Sequence, residues 1–94
     1  MGNRHSRPKP DHLAPKLRQV REFLGLNLEG MAHALKRAKK SPPTKASIYR
    51  FERGEREPSL LVLLEYARIA AISVEVLIDD DLELPRRFQS ARQK

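Results

Sequence analysis

The sequence predicts an all-α domain of four or five short helices. Three observations predict it. Apolar residues recur at three- and four-residue spacing in successive segments, as in helices buried along one stripe. Those segments are divided by Pro, Gly and residues of capping type. No stretch shows the alternation of a half-buried strand or the turn signal of a hairpin.

The first helix is expected around Leu13, Leu17, Val20 and Leu24, which leave Lys16, Arg18 and Arg21 outside. Pro15 fits in the first turn, where its missing N–H has no intrahelical partner. Gly25 is placed to end the helix. Asn27 is the next N-cap candidate, and Leu28, Met31, Ala32 and Leu35 make one apolar stripe behind it. Pro42 and Pro43 cannot continue that helix. Thr44 is a further cap, for a third helix over Lys45–Arg53 with only Ile48 and Phe51 facing the core and Gly54 as its stop. Ser59 caps a fourth helix with Leu60, Leu63, Leu64 and Ala67 inward. Ser73 caps a short fifth with Val74, Leu77 and Ile78 inward, closed by Asp79, Asp80 and Asp81. Residues 1–11 read as a disordered basic arm, 12–80 as the folded domain and 81–94 as a C-terminal tail.

At 94 residues there is room for one domain with a small core. The formal net charge is +7, unevenly spread. Residues 1–59 carry 14 Lys/Arg against 6 Asp/Glu, residues 60–84 carry one Arg against six acids, and 85–94 are again basic. Such a division suggests one face made for a polyanion. Cysteine is absent, so disulfides and thiolate metal sites are excluded. His5, His12 and His33 have no ligand spacing, and no metal or cofactor is expected. No apolar run approaches the ~18 residues of a spanning helix, and the polar, basic start lacks the apolar stretch of a secretory signal. The expectation is a cytoplasmic protein with no membrane contact. Neither a nucleophile–base pair nor a Gly-rich phosphate loop is visible, and the acids at Asp79, Asp80, Asp81 and Glu83 are adjacent rather than converging, so an enzyme is not expected.

The third helix is the candidate for function. It is short and poorly buried, with Lys45, Ala46, Tyr49, Arg50 and Arg53 facing out. A DNA major groove about 12 Å wide admits one such helix. Side chains near the helix N-terminus then reach base edges.

The segments LRQVREFLGLNLEGMAHAL (17–35), TKASIYRFERGEREPSLLVLLEYA (44–67) and ISVEVLI (72–78) resemble the Xre/Cro family, the helix-turn-helix domain of lambdoid phage repressors. IYRFERGEREPS is the most specific piece, with its Glu-Arg-Gly, short spacer and Pro-Ser after a recognition helix. The resemblance implies a five-helix lambda-repressor-like fold with a lengthened turn and flexible basic termini. It implies a bacterial, nucleoid-associated transcriptional regulator, a repressor, with double-stranded DNA as partner. It also implies homodimers reading two half-sites about one helical turn apart. Lys45, Ala46, Tyr49 and Arg50 match base-reading positions, and Thr44, Arg53, Arg56 and Ser59 match phosphate-side positions. Glu52 matches a structural acid.

The chain departs from that pattern in four places. Residues 36–43 lengthen the usual turn of three or four residues, and Lys36, Arg37, Lys39 and Lys40 there are further phosphate candidates. Leu28 stands where Gln is usual, Ala71 where Gly ends a helix, and Glu55 and Glu57 dilute the basic loop. A second stripe on the fourth helix, Val62, Tyr66 and Ile69 with Leu61 beside it, is open to two readings. It is a dimer interface, or it is covered by Leu82, Leu84 or Phe88 of the tail. Two further functions fit the same fold, a protein-interaction adaptor to the transcription machinery and an autoregulating antitoxin.

Overall fold

Six α-helices follow one another in the computed structural model, which describes residues 10–37 and 42–90. They are α1 (Leu13–Phe23), α2 (Leu28–Ala34), α3 (Lys45–Glu52), α4 (Leu60–Ala70), α5 (Val74–Ile78) and α6 (Arg86–Ser90). A 3-10 turn over Leu35–Arg37 extends α2. There is no strand among the described residues, and no helix there is long and apolar enough to cross a membrane. Of the expected arm over residues 1–11, residues 1–9 lie outside the described residues, as do Lys39, Lys40 and the end of the tail at 91–94, while Asp11 is held by Asp80.

Local chemistry sets the helix limits. The side chains of Asn27, Thr44 and Ser59 accept the N–H of Gly30, Ser47 and Val62, as their capping types predict. Ser73 opens α5 without a side-chain cap bond. At the other ends, α1, α3 and α4 close alike. Leu26 N–H donates to Arg21 O, Glu55 N–H to Arg50 O, and Ile72 N–H to Ala67 O. These are Schellman closures, which require one left-handed residue. Gly25 and Gly54 supply it for α1 and α3, but in α4 it is Ala71, at φ 59°.

Helix α1 runs through the middle, in contact with α3, α4, α5 and α6, while α2 packs on α3. Leu13, Leu17 and Val20 of α1 meet Met31, Leu35, Ile48, Phe51, Leu63, Ala67 and Leu77 in one buried cluster. On α4, Leu63 and Ala67 are buried as expected, but the start of the helix is not. Leu60 is 80% exposed, while Val62 and Tyr66 are 3% and 0% exposed. Part of the core comes from the segment expected to be tail. Leu84 and Phe88 are buried in the same cluster, Phe88 stacks 4.5 Å from Phe23, and Arg87 donates to Ala70 O at the end of α4. Burying a phenylalanine contributes about 1.5–3 kcal/mol, so α6 belongs to the fold. On α5, Ile78 is exposed rather than inward.

Two α1 cations expected outside are not there. Lys16 is buried, with Nζ donating to Val76 O (2.8 Å), Asp79 O (3.0 Å) and Leu82 O (2.8 Å). In return, the Asp80 carboxylate accepts from Asp11 N–H and His12 N–H at the start of α1, which holds its pKa below the ordinary value. Arg21 turns in to α3.

Candidate nucleic-acid interface

Helix α3 is anchored on one side and open on the other. Its inward residues Ile48 and Phe51 are buried. Glu52 accepts two bonds from Arg21, at 2.7 Å from Nε and 2.9 Å from Nη2, and Arg21 also donates to Leu26 O. With side chains only 17% and 7% exposed, the pair is a fixed strut between α1 and α3. The hydrogen bond to Glu52, first among its causes, raises the Arg21 pKa further above its ordinary value. Glu52 is thus a structural acid, as its motif position implied.

Lys45, Ala46, Tyr49 and Arg50 are all exposed. At 3.6 residues per turn, Ala46 and Arg53 fall opposite Ile48 and Phe51, with Tyr49 and Arg50 on either side and Lys45 at one edge. The middle of the outward face is therefore a methyl group flanked by longer polar side chains.

The phosphate-side candidates differ in their commitments. Thr44 Oγ1 and Ser59 Oγ each accept a helix N–H, and Thr44 Oγ1 also shares a hydrogen bond with Ser47 Oγ at 3.1 Å. Arg53 lies over the Tyr49 ring at 5.3 Å and donates to Glu55 at 2.9 Å. Lys36, Arg37, Lys45, Arg50 and Arg56 are exposed and form no ion pair with a described residue. Lys36 and Arg37 sit in the turn after α2, across the lengthened connection from Lys45.

The proposed dimer stripe does not form a surface. Val62 and Tyr66 lie inside the chain, and Ile69 packs against the same cluster. They cannot meet a second copy without opening the core. The exposed apolar residues of α4 are instead Leu60 and Leu61 at its start. Leu28 packs partly against the core.

Sequence reasoning missed the Lys16 and Asp80 contacts. A signal for Lys16 was present, since it lies three residues after Leu13 and four before Val20, on the apolar stripe itself. Nothing local pointed to Asp80, whose partners are some seventy residues away. An open groove beside this clasp is lined by His12, Lys16, Gln19, Asp80, Glu83 and Gln89, with its ammonium committed to carbonyls. Among the described residues, no three His, Asp or Glu side chains gather as metal ligands do. No family model matches the chain, and neither does any curated protein or solved structure.

Proposed function

We propose that this protein is a sequence-specific double-stranded-DNA-binding regulator of the Xre/Cro type, which reads the major groove with the outward face of α3. The observation that carries the reading is the state of that helix. Its inward side is locked by Ile48, Phe51 and the Arg21–Glu52 pair, while Lys45, Ala46, Tyr49 and Arg50 face solvent. Such a helix offers side chains to a partner without giving up core contacts. In this reading Arg50 donates to a guanine, Lys45 to a base or phosphate, and the Ala46 methyl meets a thymine methyl. Thr44, Ser59, Arg56, Lys36 and Arg37 face phosphates. Occupying an operator in this way represses transcription.

The test is selection of bound sites from a random duplex pool by the full chain at moderate salt. Enrichment of a defined sequence is the expected outcome, and a palindrome would report two copies on the site. Arg50→Ala should then relax one base position at a cost of about 1–3 kcal/mol. Failure to enrich any sequence at any salt refutes the reading. A second reading, an adaptor that binds protein, is favoured by the adjacent exposed leucines Leu60 and Leu61, at 80% and 50% exposure. Loss of partner capture in Leu60→Ser/Leu61→Ser, in a chain that selects no DNA, is what it expects.

A further inference from the structure

The turn that ends α3 holds an arrangement that stability does not account for. Gly54 takes φ +76°, Glu55 N–H donates to Arg50 O at 2.9 Å, and Gly54 N–H donates to Phe51 O at 3.2 Å. These bonds fix the backbone of Glu55 against the last turn of α3. Its carboxylate then accepts from Arg53 Nε at 2.9 Å. Arg53 lies two turns after Ala46, in the middle of the outward face. The cation best placed to meet a duplex is therefore already held by an acid of its own chain.

Both side chains are about half exposed, at 54% and 49%, where an ion pair contributes little to stability. An acid near a helix C-terminus also meets the negative end of the helix dipole. A neutral or basic residue at position 55 would serve the fold at least as well.

We propose that Glu55 is an intramolecular stand-in for phosphate, which occupies Arg53 in the free protein and so lowers its affinity for duplex DNA. The inference rests on the DNA-reading function proposed above. On docking, a phosphate oxygen takes the place of the Glu55 carboxylate on the guanidinium, and the carboxylate turns to solvent. Non-specific complexes depend almost wholly on phosphate contacts. They are where the competition weighs most, so Glu55 keeps the protein from being held along unrelated DNA.

The experiment is titration of a random-sequence duplex with the full chain by fluorescence anisotropy across a salt series. Wild type, Glu55→Gln, Arg53→Ala and the double variant are compared. Glu55→Gln should bind about three- to fivefold tighter, the upper range of an exposed pair. Its log–log salt dependence should stay close to that of wild type, since Arg53 meets a phosphate in both complexes. In the Arg53→Ala background the same change should give no gain. Unchanged binding by Glu55→Gln overturns the proposal. An equal gain without Arg53 also overturns it, since Glu55 would then act by plain repulsion. Wild type that binds no duplex even at low salt, under conditions where all four proteins keep their far-UV circular dichroism, sinks the functional reading and this inference with it. Glu55→Ser repeats the test should the glutamine variant lose its fold.

Discussion

Replacing Lys16 with methionine keeps the aliphatic stem and removes the ammonium that three carbonyls share. Hydrogen bonds to a charged donor contribute about 1.5–3 kcal/mol each. Against them stands the lost hydration of the ammonium, several kcal/mol. Methionine removes that cost along with the charge. It also strands the carbonyls of Val76, Asp79 and Leu82, each of which loses about 1–3 kcal/mol if water cannot reach it. Val76 and Asp79 are half-buried and Leu82 is exposed, so water replaces part of the lost shell. The low end of the range then applies, a loss of about 3 kcal/mol over the three acceptors. In a domain of this size that lowers Tm by roughly 12–24 °C. Arginine should not rescue it, because a planar fork cannot aim donors at three converging oxygens as an ammonium does. Urea unfolding followed by circular dichroism measures the loss directly. A loss below about 1 kcal/mol for Lys16→Met, the size of an ordinary point substitution, would refute the claim that this ammonium clasps the C-terminal half onto α1.

Three further outcomes follow from named contacts. Ala71→Gly should raise stability by about 0.5–1 kcal/mol in thermal melts, because φ 59° is strained for alanine and free for glycine; a loss would mean that α4 ends differently in solution. Tyr66→Phe should leave stability equal or raise it by up to about 1 kcal/mol, since the buried Oη has no hydrogen-bond partner; a fall of more than that would show the hydroxyl to be satisfied. Asp80→Ala should destabilise at neutral pH. The folded-state pKa of Asp80 is lowered, chiefly by the Asp11 N–H, so its contribution is present above the ordinary carboxylate pKa and is lost as pH falls through the folded value. Wild type and variant should therefore converge in strong acid, and a gap that persists there would exclude this contact as its cause.

What could be read from the sequence was what local chemistry decides. The caps at Asn27, Thr44 and Ser59 and the stops at Gly25 and Gly54 act within one turn of chain, and all lie where their residue types predict. Ile48 and Phe51 were legible as the only core residues of α3 for the same reason. The face of α4 was not. Its run of leucines and valine offers apolar residues on nearly every side, so spacing could not choose between Leu60 and Tyr66. The choice falls to the elements packed on α4, which are α1, α5 and the turn at Leu35–Arg37. Residues 81–94 read as tail because four of the last ten are Lys or Arg, yet Phe88 is buried and the Arg87 guanidinium lies over its ring. The exposed residues of the candidate site were legible too, but not the state of Arg53, which depends on where a left-handed glycine sends the next side chain.

The distribution of paired and unpaired charge bears on the proposed function more than the total of +7 does. The acids of the chain are largely used internally. Glu52 holds Arg21, Glu65 is buried against Arg68, Asp80 receives the start of α1, and Asp79 accepts from Asp81 N–H. Two cations away from the candidate site are used in the same way, Lys16 by carbonyls and Arg18 by Glu22. Between residues 36 and 56 the pattern reverses, and five of the six described cations there have no acidic partner. Genome-wide base composition would enrich Lys and Arg without regard to position, and a merely solvated face would mix both signs. Unpaired like charges repel one another unless a polyanion neutralises them. Their concentration around α3, whose outward side is exposed, is what a phosphate-facing surface requires. Arg53 is the exception within that surface, so the release of Arg53 from Glu55 is where the charge argument and the geometric one can be tested together.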